Sequence, residues 1–239
     1  MQLTALKMLT GYNHEDDLLE LYVRNMFDGT TALNILEAGC GPSWPLKLPG
    51  IKYKLTGIDL DSHALENRKS ITKDLDEAII GDLRQVDFGD RKFDVIYNAF
   101  VLEHIDNAAQ VLDSFSNWLR PGGILLLKLP DRDAVFGLLT RLTPFWFHIL
   151  YHKYALRRKN AGRPGFGPYP THYDRVVSRT GIREFCDSHG FELSEERGLC
   201  TYVMERRRAV TAIAKLASAL SLGTFPWQHN NLTYVLTKK

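Results

Sequence analysis

Short apolar runs and amphipathic helical segments alternate through the first 130 residues of the chain. Runs of apolar and β-branched residues predict strands at 34–38, 55–58, 78–80, 93–97 and 124–129. Helical spacing predicts helices at 15–27, at 62–74 with Ser62 as the N-cap, and at 108–119, stopped by Pro121-Gly122-Gly123. Short strands alternating with helices are typical of βαβ units, so the predicted fold class is α/β with a parallel sheet buried on both faces.

The alternation of predicted strands and helices is interrupted after Pro130. Residues 131–177 are rich in aromatic residues and prolines and carry the basic run 157–159, which indicates an insertion with one or two amphipathic helices and a Pro/Gly loop. The pattern then predicts a helix capped by Ser178 and ended by Gly190, a strand from 191 to 193, a basic helix at about 203–222 and a last strand at 231–237. We interpret 1–239 as a single domain with a lid insertion at 131–177.

Composition and charge exclude several classes of protein. With 44% hydrophobic and 24% charged residues, the chain is not largely disordered or fibrous. Its three cysteines form no CxxC pair, which argues against a disulfide scaffold or a cysteine zinc site. No apolar run of 18 residues or signal-peptide pattern is found, so we expect a soluble, cytoplasmic protein.

The net charge of +2 conceals an asymmetry between the two parts of the chain. Residues 1–130 carry 13 Lys+Arg against 19 Asp+Glu, a balance of −6, whereas residues 131–239 carry 17 against 9, a balance of +8. The acidic part disfavours nucleic-acid binding, and none is expected. The basic part is compatible with phosphates, with an anionic membrane, or simply with a solvated surface.

The segment ILEAGCGP, at 35–42, is the strongest chemical signal. A strand that ends in Gly39-Cys40-Gly41 lets a ligand approach the backbone closely. Asp59 follows Gly41 by 18 residues at the end of the next predicted strand, where an acid can bind a ribose diol. The spacing therefore indicates a ligand that contains a nucleoside.

A dinucleotide is disfavoured as that ligand. Its pyrophosphate needs a third glycine and free backbone N–H groups, but Trp44 and Pro42 occupy these positions. Glu37 would also repel phosphate and attract a cation.

From these residues onward the sequence resembles the class I S-adenosylmethionine-dependent methyltransferases. ILEAGCGP, GIDLD and IIGDLRQVDF resemble the first three motifs of the family, and FDVIYNAFVLEHI and LRPGGILLLKLP resemble its strand-four and strand-five segments. The resemblance covers about residues 33–130. It implies a Rossmann-like, seven-stranded, mostly parallel sheet between helices, with one antiparallel strand, and S-adenosylmethionine as the cofactor.

The resemblance also implies the cofactor contacts. Glycines would pack under the cofactor, Glu37 would order its amino-acid end, and Asp59 would hold the ribose. Leu60 would touch the adenine. Asp82 and Leu83 would face the adenine amino group, and Asn98 would line the methionyl part. The full set of implied contact residues is Glu37, Gly39, Cys40, Gly41, Asp59, Leu60, Asp82, Leu83 and Asn98.

Few catalytic groups are needed, because a sulfonium methyl group is already activated and the protein mainly aligns the acceptor. A general base is required only for a hydroxyl or a protonated amine, and His104 in LEHI and His172 in PYPTHYD are the candidates. Each also has a purely structural interpretation, as a brace or a loop residue. Metal-using quinone O-methyltransferases carry another acid beside the pair Glu103-His104; Phe100 stands there, so we expect no metal.

The stretch 144–159, PFWFHILYHKYALRRK, has three interpretations: an acceptor pocket, a membrane-surface segment, or the core of the lid. The predicted function is methyl transfer to a small or lipid-linked acceptor, most favourably at oxygen, because strand four lacks the Asn/Asp-Pro-Pro-Tyr signature of amino-group methyltransferases. A catalytically silent partner subunit of the same fold and an NAD-dependent reductase are the alternatives.

Overall fold

The computed structural model describes residues 6–9, 12–163, 166–200 and 208–239. Within these residues the strands are β1 (Lys7–Leu9), β2 (Leu33–Ala38), β3 (Tyr53–Asp59), β4 (Glu77–Ile80), β5 (Phe93–Ala99), β6 (Leu119–Pro130), β7 (Phe191–Leu199) and β8 (Asn231–Lys238). The helices are α1 (Tyr12–Met26), α2 (Ser62–Asn67), α3 (Ala108–Trp118), α4 (Val135–Leu142), α5 (Phe145–Leu150), α6 (Arg179–His189) and α7 (Arg208–Leu220). Two π-helical turns, Arg68–Thr72 and Tyr151–Ala155, extend α2 and α5.

One sheet contains all eight strands in the order β1-β7-β8-β6-β5-β2-β3-β4. β8 runs antiparallel to both β6 and β7, and the other neighbours are parallel. The predicted fold class is confirmed, and the sheet has one strand more than the seven expected. The additional strand, β1, pairs with Arg197–Leu199 of β7; three residues are too few to carry a periodic signal.

The strand order places a crevice between β2 and β5. From β2 the chain builds β3 and β4 towards one edge, and from β5 it builds β6 towards the other. Such a reversal leaves an opening at the carboxyl ends of the two central strands, where ligands bind in open α/β sheets. The glycine turn after β2 and the segment after β5 both lie at this edge.

Two apolar layers cover the faces of the sheet. On one face, α3 and α6 pack on Leu36, Ile96 and Leu125 through side chains such as Phe115 and Ile182. On the other face, α1 and α2 cover a second set, with buried side chains that include Leu19, Val23, Ile35, Leu65 and Val95. Burial on both faces explains why the central strands are nearly continuous apolar runs rather than alternating ones.

Several predicted boundaries are wrong for identifiable reasons. Asp61, not Ser62, caps α2, because its side chain accepts bonds from the His63 and Ala64 amides. Pro121-Gly122-Gly123 lies inside β6, since α3 ends at Trp118 and the chain turns extended at Leu119. Between β2 and β3, where no helix was predicted and none forms, the chain packs Leu46 and Leu48 into the core.

The segment 131–177 contains α4, α5, the second π-helical turn and a loop, as its pattern predicts. α4 packs against α7, with Val135 and Ala214 buried between them. Ser178 caps α6 by accepting a bond from the Gly181 amide, and Gly190 ends it at φ 68°, both as predicted. Residues 203–207 of the predicted basic helix lie outside the described residues. Among the described residues, no helix is long and apolar enough to cross a membrane.

Candidate active site

The turn after β2 contains two glycines with different surroundings. Gly39 has φ +76°, and a Cβ there would lie 2.3 Å from Cγ2 of Val101, so both the conformation and the packing require glycine. Gly41 has φ +52°, and no heavy atom lies within 4 Å of the position of its would-be Cβ. Gly39 is therefore packed against the segment after β5, whereas Gly41 borders open space in the crevice.

The backbone amides of this turn are already satisfied by β3. The amides of Gly39 and Cys40 donate to the carbonyl oxygen of Ile58, at 2.8 and 3.1 Å. The amide of Gly41 donates to Oδ2 of Asp59 at 2.8 Å. With these amides occupied and no helix N-terminus following, the turn offers a pyrophosphate neither of its usual partners. This geometry disfavours the NAD-dependent alternative.

Asp59 and Leu60 lie at the end of β3 beside the glycine turn. The second carboxylate oxygen of Asp59 accepts a bond from the Asp61 amide at 2.9 Å. A carboxylate has about four acceptor positions, so two backbone bonds leave capacity for a ligand diol. Leu60 is 72% exposed, which leaves an apolar surface next to that carboxylate.

Glu37 is buried and already paired. Nη1 of the fully buried Arg68 lies 2.6 Å from its Oε2 and also donates to the Cys40 carbonyl at 2.8 Å. Nε of Arg68 reaches Asp74 at 3.1 Å. Burial raises the pKa of the Glu37 carboxyl, and the Arg68 guanidinium acts in the opposite direction. In this structure Glu37 ties β2 to the turn after α2, so a role at the cofactor would have to be shared with Arg68.

The third motif places Asp82 and Leu83 differently. The Asp82 carboxylate accepts bonds from Nε of Arg84 at 3.0 and 3.1 Å and from its Nη2 at 2.5 Å. The hydrogen bonds from this guanidinium hold the pKa of Asp82 below its usual range. Leu83 is buried in the core under α3. The Asp82 side chain is thus occupied, and Leu83 packs inward.

Asn98 bridges the two strands that flank the crevice. Its side chain is buried, and its Nδ2 donates to the Ala38 carbonyl at 2.7 Å. The bond joins the end of β5 to the end of β2, directly under the glycine turn. Phe100 follows with φ +57°, an uncommon conformation for a bulky residue, held by a 2.7 Å bond from its amide to the Lys128 carbonyl.

His104 ends a 3₁₀ turn, Leu102–His104, that follows β5. Its Nδ1 lies 2.7 Å from the carbonyl oxygen of Pro170. Because a carbonyl can only accept, Nδ1 carries the proton and the neutral ring keeps its lone pair on Nε2. Burial lowers the pKa of His104, although the hydrogen bond to Pro170 opposes that shift.

The loop that carries His172 is anchored on the same turn. The amides of His172 and Tyr173 donate to the Glu103 carbonyl, at 2.8 and 3.3 Å. The ring of Tyr169 meets the His104 ring edge-on, with centroids 5.9 Å apart. The structure therefore brings both candidate bases to one place, although they come from separate motifs. His172 is exposed and His104 is half-buried.

The surroundings of the Glu103 side chain could not be predicted from the sequence, in which Glu103 stands out only as a candidate metal ligand. It is buried, and its Oε2 has no hydrogen-bond partner. Burial raises its pKa to about 8. Its Oε1 lies 3.8 Å from Nε2 of His104. Within the described residues, no group of three or more His, Cys, Asp or Glu side chains could hold a metal ion.

A second buried charge cluster lies where β6 ends, and the sequence interpretation missed it. Nζ of Lys128 lies 2.6 Å from Glu15 and 3.1 Å from Asp16, both at the start of α1. Glu15 also accepts a bond from the Thr233 hydroxyl. In the sequence, the acids at the start of α1 indicate only a favourable helix N-terminus and not an ion pair with Lys128. Lys128 interrupts an apolar strand, and that exception in ILLLKL was the available signal.

Comparison with known proteins agrees with this geometry. Residues 12–196 match the family model of a methyltransferase domain. The ubiquinone biosynthesis O-methyltransferase of Nitrosococcus oceani is 31% identical over 197 residues, which cover 78% of this chain and 75% of that protein. A probable S-adenosylmethionine-dependent methyltransferase of Mycolicibacterium smegmatis is 31% identical over 114 residues, and the match covers 47% of this chain and 44% of that protein. The solved structure of an S-adenosylmethionine-dependent methyltransferase from Mesorhizobium loti superposes with a TM-score of 0.56 at 15% identity, covering 91% of this chain and 96% of that one.

Proposed function

The chain belongs to this methyltransferase domain family and is an S-adenosylmethionine-dependent methyltransferase; we propose that it methylates a hydroxyl oxygen of a small acceptor with an apolar portion. Membership confirms the resemblance drawn from the motifs. The named activity of the Nitrosococcus oceani relative, methylation at oxygen, supports the choice of atom.

The crevice residues fit S-adenosylmethionine. When bound, the cofactor supplies an activated methyl group. We propose that the open space beside Gly41 accommodates it, that the remaining acceptor positions of Asp59 bind the ribose hydroxyls, and that Leu60 packs on the adenine. Glu37 lies beneath the turn with its charge paired to Arg68, so the Asp59 carboxylate is the acid that favours a cationic ligand there. Asn98 would act indirectly, because its side chain holds the end of β2 in place.

One observation carries the proposal for the base: the Pro170 carbonyl fixes the proton of His104 on Nδ1. The neutral ring then has Nε2 free to accept the acceptor's hydroxyl proton. Once Nε2 is protonated, the imidazolium retains the Pro170 carbonyl on one side and has Glu103 Oε1 at 3.8 Å on the other. The hydrogen bond to the Pro170 carbonyl favours the charged ring after proton transfer.

We further propose that residues 131–177 form a lid over the acceptor, as part of one domain that spans residues 1–239. Tyr169 touches His104, and the loop amides of His172 and Tyr173 hold it on Glu103. Phe100, exposed after β5, adds an aromatic surface on the sheet side. Aromatic rings around a base suit an acceptor with an apolar part, such as one linked to a lipid tail.

The test is turnover with a panel of phenolic and carboxylic acceptors, each with and without an alkyl tail, followed by the mass gain of one methyl group. His104→Gln should lower kcat by about 10²–10⁴-fold. Cofactor affinity, measured by calorimetry, should stay within about twofold, because His104 is not placed on the cofactor. His189→Gln on α6 is the matched control and should leave the rate unchanged.

The pH dependence of the rate distinguishes a general base at His104 from a purely structural role of this residue. A base works when neutral, so the rate should rise with pH through the pKa of His104, and burial places that midpoint below the ordinary value of about 6.5. His172→Gln should move the midpoint upward, because the electrostatic interaction with His172 lowers the pKa of His104. Full activity in His104→Gln would overturn the base assignment. A protein that binds cofactor but methylates nothing in the panel would support the silent partner subunit instead.

A further inference from the structure

Helix α7 presents an apolar stripe to solvent. Ile213, Leu216 and Leu220 follow the i, i+3, i+7 spacing of one helix face, and all three are exposed, Leu220 by 78%. The side chains buried against the protein are Ala214 and Ser218. An amphipathic helix on a globular protein normally turns its large apolar residues inward, and α7 does the reverse.

Helices α4 and α5 also expose large apolar side chains. α4 packs on α7 through Val135 and Ala214, and its own Leu142 is exposed. α5 follows directly and buries none of its residues; Trp146 is 61% exposed. We call the exposed side chains of α4, α5 and α7 the apolar face. Large apolar side chains exposed on three helices, two of which pack against each other, are unusual for a free surface and indicate a docking site.

The charge of the two segments that bear the apolar face has a single sign. Residues 134–173 contain no Asp or Glu and six Lys or Arg, and residues 206–239 likewise contain no Asp or Glu and six Lys or Arg. Lys153, Arg157, Arg158, Lys159 and Arg163 directly follow α5 in the chain. Among the described residues, none of these five forms an ion pair with an acid. Such a surface is complementary to an anionic one.

The apolar face adjoins the edge of the sheet that holds the crevice. α4 begins five residues after the end of β6, and the Val135 amide donates to the Pro226 carbonyl at 3.0 Å. Pro130 at the end of β6 pairs with Asn231, the first residue of β8. Both connections therefore leave the sheet at the carboxyl end of β6, beside β5, which is followed by the turn that carries His104.

We propose that the apolar face docks this enzyme on the surface of an anionic lipid bilayer. Helices with apolar side chains on one side and unpaired Lys and Arg around them lie in the bilayer interface, and Trp and Tyr side chains favour the headgroup level. A second copy of the chain fits less well, because the same two acid-free basic segments of each copy would meet and repel each other. The proposal is independent of the acceptor, although docking there would present a lipid-linked acceptor to the crevice.

The experiment is co-sedimentation of the purified full chain with vesicles of phosphatidylcholine alone or with 30% phosphatidylglycerol. We expect binding only to the anionic vesicles, with a partition coefficient that falls as salt is raised. Leu216→Gln with Leu220→Gln should weaken binding by at least tenfold. Replacing Arg157, Arg158 and Lys159 by Gln should weaken it by about 100-fold, since each cation near an anionic surface contributes about 1 kcal/mol. Ile71→Gln, an equally exposed apolar residue outside the apolar face, is the matched control and should bind as the parent does.

Calorimetry with S-adenosylhomocysteine shows that each variant is folded, and neither this readout nor vesicle binding needs a methyl acceptor. A failure of the proposed O-methylation would therefore not affect the result. Equal binding to both vesicle types, or equal binding of all variants, would overturn the proposal. So would a dimer in sedimentation velocity that the α7 substitutions dissociate, combined with no vesicle binding; that result would assign the face to a second copy.

Discussion

At the scale of single residues, the two glycines of the first motif have different roles: Gly39 is needed for the stability of the fold, and Gly41 for space at the cofactor. Gly39→Ala should destabilise the protein, because the left-handed conformation costs about 1–2 kcal/mol and the contact with Val101 about 1–3 kcal/mol more. Gly41→Ala should lose only the stability that the left-handed conformation costs, because no atom lies near its Cβ. The added methyl group would project into the open crevice, so the variant should fold but bind the cofactor less tightly. Urea unfolding and calorimetry on both variants check this difference.

The contact with Val101 provides the control for this pair. Val101→Ala removes the two γ carbons that would lie nearest to a Cβ on Gly39, so the double variant should regain part of the stability that Gly39→Ala loses. If Gly39→Ala and Gly41→Ala lost equal stability, the packing of Gly39 on Val101 would not be the reason for glycine there.

Residue identities in the motifs could be predicted, but their partners could not. The positions of Gly41, Asp59 and Leu60 at the crevice follow from strands that end there. The ion pair of Glu37 with Arg68 does not follow. Arg68 comes from another element, and the two side chains meet only once the tertiary structure has formed. Local patterns carry no information about such contacts.

At the scale of elements, Arg68 joins the turn after α2 to β2. Its guanidinium contacts Glu37, the Cys40 carbonyl and Asp74. Arg68→Met should lower the free energy of unfolding by about 3–5 kcal/mol, because it leaves the Glu37 carboxylate buried without a partner. Chemical denaturation at pH 7 measures the loss.

The companion variant tests that reason. Glu37→Gln in the Arg68→Met background removes the orphaned charge, so the double variant should be more stable than Arg68→Met alone. Additive losses in the two substitutions would show that Arg68 acts through packing and its other contacts rather than through Glu37.

Elements with a long periodic pattern were predicted within a few residues, and short or irregular ones were not. α6 is the clearest success, since both its Ser178 cap and its Gly190 stop are local signals. β1 was missed because it exists only by pairing with β7. The predicted helix 62–74 becomes π-helical at Arg68, where the buried contacts of this side chain act on the local conformation.

At the scale of the whole molecule, the charge asymmetry of the sequence corresponds to two surfaces with different surroundings. Three acids, Glu37, Asp59 and Asp74, and one cation, Arg68, surround the turn that faces the crevice, and this excess of acids suits a cationic cofactor. The basic residues follow α5 and belong to the segments that carry the apolar face. The sequence already places the cations on the insertion and Asp59 at a strand end, but only the fold brings Glu37, Asp59 and Asp74 together around one turn.

Cofactor binding should stabilise the whole fold, because the crevice draws on residues from β2, β3 and β5. S-adenosylhomocysteine at 100 times its Kd should add about 2.7 kcal/mol to the free energy of unfolding. For a chain of this size the corresponding rise in Tm is about 5–10 °C. NAD should give no rise, because the amides of the glycine turn are occupied. A thermal scan with each ligand measures both values.

The variant Asp59→Ala tests whether the stabilisation by the cofactor depends on the contact with its ribose. The variant loses charge-assisted bonds to the ribose, each contributing about 1.5–3 kcal/mol, so its affinity should fall at least about tenfold. At the same ligand concentration its stabilisation should therefore be smaller by about 1.4 kcal/mol, relative to its own unliganded Tm. A full stabilisation in the variant would mean that Asp59 only holds the Gly41 and Asp61 amides. A rise in Tm with NAD would contradict the argument from the turn itself, since it would require amides that the structure shows bonded to β3.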